Sequence, residues 1–226
     1  MRNIRIISLG LFIIFAGALW ANVQTVKIEK ETTDFSLNIK YPHGYSEPVD
    51  ATIKTLVTDT QKTADERAAS NDLPADIPGK NGLTIDFNTK YQTPRALSIL
   101  FDISIYVRGA AHPDNSVKVL NFIDNVDVSL EQLFKPGSHY LTEIAAECRS
   151  HLLKKKDADA NWVVTGTNPV KDNYKNWYFS KDGLVIVFDT YQVAAYVYGP
   201  QTVTIPKSLL KKWLRPEVEK AVWGNA

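Results

Sequence analysis

One cysteine, Cys148, stands among 226 residues, so no disulfide forms within the chain and its stability rests on packing. Neither sign of charge prevails. The 26 Lys and Arg residues against 25 Asp and Glu give no global field for nucleic acid or another acidic polymer. Catalytic signatures are missing as well: Gly-x-Ser-x-Gly, a phosphate loop, His-Glu-x-x-His and Cys-x-x-Cys do not occur. Their absence is weak evidence by itself, because a triad is assembled in space. A disordered composition is absent too. With 44% hydrophobic and 23% charged residues, the chain is long enough to bury a sizeable core.

One apolar run is present, and it stands at the start. Arg2 and Arg5 precede Ile6 to Ala21, which is apolar except for Ser8, and small residues follow at Ala16, Gly17, Ala18 and Ala21. This pattern predicts a secretory signal peptide over residues 1–21, with cleavage after Ala18 or after Ala21. The alternative is a retained anchor, but the run is shorter than the roughly 20 apolar residues of a spanning helix. No cysteine stands at the exit, so no lipid anchor is expected. Without the leader, 24 basic residues face 25 acidic ones. The expected location is periplasmic or secreted, with membrane contact only if the leader is retained. In an oxidising compartment the Cys148 thiol is either buried or open to pairing with another molecule.

The remaining pattern alternates between strand and helix periods. Phe35, Leu37, Ile39 and Tyr41 follow period two and predict a strand that Pro42 ends. Spacings of three and four from Val49 to Ala64 predict a helix over Glu47–Ser70, with Ser46 as N-cap and Pro48 in its first turn. Residues 71–82 carry two prolines and two glycines and predict a loop. Leu83 to Phe87 predicts a strand, and Leu97–Val107 pairs with Val117–Val126 as a hairpin. Ser129 to Phe134 is expected to make one helical turn, and Ser138 to cap a second helix reaching about Lys156. Residues Ser180-Lys181-Asp182-Gly183 predict a hairpin between Asn176–Phe179 and Leu184–Phe188. Val203 and Ile205 follow, then a closing helix over Pro206–Trp213, renewed at Pro216–Trp223. The order predicts an α+β fold with a largely antiparallel sheet, two main helices and a C-terminal helix.

Few residues invite a chemical role. His112, in a turn after the long central strand, is a candidate base or ligand; the plainer reading is a turn histidine whose ring bonds local backbone. Glu147, Cys148 and His151 share helical spacing, but adjacent ligands do not complete a tetrahedral metal site, so neither metal nor cofactor is expected. Asp124 and Asp127, and likewise Asp157 and Asp159, read as hairpin and loop residues. Aromatics gather in the last third. Alternation places Trp177, Phe179 and Phe188 in the core. Tyr191, Tyr196 and Tyr198, in an irregular stretch with Trp162 and Tyr174 upstream, are candidates for an exposed platform for a sugar ring or a protein.

Several stretches together carry a resemblance. They are Val107 to Pro113, Asn121 to Asp124, Leu130, Leu133 to Ser138, Asn173 to Trp177, Asp182 to Val185, Phe188, Tyr191 to Ala194, Tyr196, Gly199-Pro200 and Val203 to Pro206. Over about residues 25 to 215 the chain resembles the RsiV-type extracellular domain family, which also precedes the catalytic domain in PdaC-type peptidoglycan deacetylases. The resemblance implies a companion segment over residues 22–128 and an RsiV-type segment over 129–226, forming one unit. It implies a non-catalytic binding module for a lysozyme-like protein or a peptidoglycan fragment, with His112, Tyr191, Tyr196 and Tyr198 as ligand-binding candidates. An anti-sigma role is not expected, since five residues precede the apolar run; nor is a deacetylase role, since no second domain is expected. The alternative is a cell-wall glycan hydrolase or deacetylase-like enzyme using His112. One departure stands out: the family turn reads Gly-Gly-Ala-His where this chain has Gly109-Ala110-Ala111-His112. If that position needs positive φ, Ala110 is strained.

Overall fold

A computed structural model describes residues 23–71, 73–74 and 77–224. The expected signal peptide lies outside these residues. Among those described, no helix is long and apolar enough to cross a membrane.

The fold is α+β with two sheets. The larger runs β1 (Gln24–Glu31), β2 (Phe35–His43), β3 (Asn81–Gln92), β4 (Ala96–Tyr106), β5 (Asp114–Ile123) and β6 (Val126–Asp127), each beside the next in order. All neighbours are antiparallel except β2 and β3, which are parallel because α1 (Glu47–Ala69) crosses over between them. The alternation in the sequence has its cause here. Ile39, Leu83, Ile85, Leu97, Ile99, Phe101 and Ile103 point to one face and bury Val49, Ile53, Val57 and Ala64 of α1.

The other face is divided. Where β4 turns Ser98 and Leu100 outward, the smaller sheet covers it: β7 (Trp177–Ser180), β8 (Gly183–Phe188) and β9 (Gln201–Pro206), all antiparallel. A buried polar seam joins the sheets. The Ser98 hydroxyl donates to Asn121 Oδ1 at 2.6 Å and accepts the Phe179 N–H at 3.0 Å. Asn121 Nδ2 donates to the Trp177 carbonyl at 2.7 Å, and Asn176 Nδ2 to the Val117 carbonyl at 3.0 Å. Every polar group in the seam is matched, which fixes the register of one sheet on the other. Beyond it, the second core packs α2 (Tyr140–Leu153), α3 (Ala160–Gly166), α4 (Lys207–Leu210) and α5 (Pro216–Trp223) around Trp177, Phe179, Phe188 and Leu210.

Several expectations need correction. Pro42 does not end its strand; β2 continues to His43. Its ladder with β3 stops at Ile39, so Pro42 pairs with β1 alone and the other edge is open. Ser46 sits at the N-cap of α1 without a side-chain bond, and Asp50 instead accepts the N–H groups of Gly44 and Tyr45. The second helix opens at Tyr140 behind His139, not at Ser138, and closes at Leu153 rather than Lys156. Asp159 then accepts the Trp162 N–H at 2.9 Å and starts α3, a helix too short to leave a periodic signal. The closing helix over Pro206–Trp213 shrinks to the single turn of α4, because Leu214 leaves it to bridge Phe134.

Candidate functional site

Two loops meet at one end of the sheets. The first leaves β4. Gly109, at φ +86°, takes the turn's left-handed position, and a Cβ there would lie 2.4 Å from Leu73 Cδ1. Ala110 is not among the residues with positive φ, so the replaced glycine leaves no strain. Arg108 ties this loop to the preceding one, donating to the Ile77 and Leu73 carbonyls and taking Asn81 Oδ1 on its N–H.

The second loop joins β8 to β9. Asp189 Oδ1 accepts the N–H groups of Val117 at 3.1 Å and Thr190 at 2.9 Å, which moors it to β5. Burial pushes the Asp189 carboxyl above the ordinary range; those two N–H groups and the nearby Lys175 and Lys118 oppose the rise. Gln192 Nε2 donates to the carbonyls of Gly166 and Asn173, at 3.1 and 2.9 Å. Position 166 must be glycine, since a Cβ there would come within 2.0 Å of the Gln192 carbonyl oxygen. Between these moorings Tyr191 is held at φ +67°. A left-handed tyrosine is costly and persists only where its surroundings over-determine it.

These loops bring His112, Tyr191 and Tyr196 together. The His112 ring stacks on Tyr196 with centroids 4.1 Å apart, and Tyr191 lies 5.5 Å from Tyr196. Trp162, on α3, lies 6.3 Å from Tyr191. A chain of hydrogen bonds sets the roles. Asn115 Nδ2 donates to the Tyr196 hydroxyl at 2.7 Å, which donates to the Pro113 carbonyl at 3.1 Å. His112 Nδ1 stands 2.9 Å from that carbonyl and, facing an acceptor, must carry the proton. Nε2 is then free to accept the Tyr191 hydroxyl at 3.3 Å. The ring is thus occupied by local backbone and a neighbouring tyrosine. Tyr191 is 47% exposed, and His112 is exposed as well.

Asn115 continues the cluster into a groove of about 290 Å³ that Asp86, Asp102, Ser104 and Pro200 also line. Burial pushes the Asp102 carboxyl upward, with Lys90 opposing. Tyr198 does not join: it lines a separate pocket of about 150 Å³ with Leu152, Lys155 and Val163. Cys148 faces the core, where burial raises its thiol to about 12, while His151 is exposed. Among the described residues, no three His, Cys, Asp or Glu side chains are placed to hold a metal ion.

In the sequence Trp162 stands out only as one of the aromatics, and Asn115, Asp189 and Gln192 do not stand out as parts of this arrangement. Asn115 and Asp189 flank predicted strands, and nothing local marks their tertiary bonds.

A model described as a protein of unknown function (DUF3298) matches residues 131–208, which covers Tyr191, Tyr196 and Trp162 but not His112. The chain is 28% identical over 208 residues to the peptidoglycan-N-acetylmuramic acid deacetylase PdaC of Bacillus subtilis; that alignment covers 89% of this chain and 44% of the relative. The chain therefore spans less than half the length of this curated relative. The crystal structure of a DUF3298 family member from Bacteroides fragilis shares the fold, with a TM-score of 0.62 at 14% identity over 90% of this chain and 98% of that one. A DUF3298 family protein from Pseudomonas aeruginosa does so with a TM-score of 0.63 at 13% identity, over 87% of this chain and 95% of that one.

Proposed function

We propose that this chain is an exported cell-envelope binding module of the RsiV-like kind, recognising the glycan of peptidoglycan with the cluster of His112, Tyr191, Tyr196 and Trp162. The observation that carries this reading is the left-handed Tyr191, strained in the folded state and set beside open aromatic rings. Strain of this sort gathers at ligand sites, where orientation of a side chain outweighs its cost. Aromatic faces stack on the apolar face of a sugar ring, and Asn115, Asp86 and Asp102 in the adjoining groove offer partners for its hydroxyls. The relative's named action on peptidoglycan N-acetylmuramic acid supports the same ligand class. The basic, apolar, small-residue start of the chain supports export.

The module acts by binding. With His112 Nδ1 facing a carbonyl and Nε2 a tyrosine hydroxyl, the ring must give up a partner before it could take a substrate proton. A lysozyme-like protein is the second reading. It draws on Val197 and Tyr198, 82% and 51% exposed beside the cluster's own loop, a surface suited to a protein partner.

Calorimetric titration separates the two. Soluble muramyl disaccharides should bind saturably, and Tyr191→Ala and Tyr196→Ala should each abolish the heat. If lysozyme gives the heat and the disaccharides none, the second reading replaces the first. Silence from both ligands refutes the binding-module proposal.

A further inference from the structure

A second opening shares no lining residue with the aromatic cluster. It is a cleft of about 340 Å³ between the β5–β6 hairpin, the helical turn at Leu130–Leu133, the start of α2 and the turn at Lys171–Tyr174. That volume lies at the small end of ligand pockets, about 300–1,000 Å³. Val119, Leu120 and Leu141 give it an apolar lining.

Tyr140 and Trp177 also line it, although they are only 9% and 1% exposed. Neither the Tyr140 hydroxyl nor the Trp177 indole N–H has a hydrogen-bond partner among the described residues. Neither is among the buried polar atoms sealed away without a partner, so both touch solvent. Water can match both groups, and a ligand in the cleft that brings acceptors can take the water's place on them. The indole N–H only donates, so such a ligand must bring an acceptor, which a peptide carbonyl supplies.

Charge adds the second half. Glu131 and Lys171 neutralise each other at 2.6 Å, and both act on the Tyr140 hydroxyl. Among the described residues Asp127, on the exposed β6, is in no ion pair, and Lys175 lines the cleft with it. Desolvation pushes its carboxyl upward, and the Val128 N–H opposes that rise. Asp127 thus sets an unpaired carboxylate on the cleft wall, where an incoming cation would be favoured.

We propose that this cleft binds a short peptide bearing a free ammonium group, its carbonyls on Tyr140 and Trp177 and its ammonium on Asp127. This is independent of the glycan reading.

The test titrates the protein with the tripeptide Lys-Ala-Ala and with the same peptide acetylated at both amines. Lys-Ala-Ala should saturate at millimolar concentration or below, and acetylation should weaken it about tenfold, as expected for the loss of one charge-assisted hydrogen bond. Asp127→Asn should weaken it equally. Tyr140→Phe keeps the ring stacked 4.3 Å from Phe134, so the variant should fold, and it should bind several-fold more weakly. Tyr196→Ala should leave peptide binding unchanged, which separates this cleft from the glycan cluster. No saturation with Lys-Ala-Ala, equal binding of the acetylated peptide, or indifference to Asp127→Asn overturns the proposal.

Discussion

Replacing Tyr191 by glycine and by alanine should reverse their usual order of stability. At an ordinary position glycine is the worse of the two by about 0.5–1 kcal/mol, because its unfolded chain is freer. At φ +67° alanine keeps a left-handed cost of about 1–2 kcal/mol that glycine does not carry. Both variants lose the tyrosine's contacts. The ring is roughly half exposed, so about half of the 1.5–3 kcal/mol of a full burial is at stake, near 1 kcal/mol. Tyr191→Ala should therefore be less stable than the parent by about 1 kcal/mol, and Tyr191→Gly should lie closer to it, by about 0.5–1 kcal/mol. Urea unfolding followed by tryptophan fluorescence measures both, with midpoints compared at a common slope. If alanine proves more stable than glycine, position 191 is not strained and the argument from strain fails. Both variants should lose glycan binding alike, so stability and affinity separate at this residue.

Asn121→Ala strips the Ser98 hydroxyl and the Trp177 carbonyl of their partners in the seam, at about 1–3 kcal/mol each. Urea unfolding should show a loss of about 3 kcal/mol, and a loss below about 1 kcal/mol would mean the seam repairs itself. Asp189→Asn tests burial of a charge. The native carboxyl holds its proton more tightly than the unfolded one, so its cost is fully present above the raised native value and disappears as pH falls below the ordinary carboxylate range. Asparagine keeps the acceptor for Val117 and Thr190, so the variant should flatten the stability profile across that window. An unchanged profile would assign the pH dependence to other groups. Cys148, buried with its thiol raised to about 12, should resist iodoacetamide in the folded protein at pH 8 and react on unfolding, as mass spectrometry would show.

Much of the fold was legible because its elements sort residues by burial alone. The helix over 47–69 and the far half of β4, where buried and open residues alternate, each present one face to a core, so their periods of 3.6 and 2 survive in the letters. The errors fall where tertiary position overrides a local rule. Pro42 is tolerated because β3 has already left that part of β2, and Ser138 yields because α2 starts behind His139. The candidate site was legible as residue types but not as a constellation. His112 and Tyr196 stack although 83 residue positions separate Pro113 from the hydroxyl that shares its carbonyl. Trp162 arrives on a helix with too few turns to announce itself, and no letter marks Tyr191 as left-handed.

Among the described residues the larger sheet ends at β1 on one side and at the two-residue β6 on the other. On β1 lysine and glutamate recur at Lys27, Glu29, Lys30 and Glu31, all exposed. A foreign strand laid along this border would have to desolvate those charges to reach the free backbone. The same row that contributes nothing to the core therefore guards against end-to-end polymerisation of the folded chain, a safeguard that would weaken if these residues were replaced by threonine or valine.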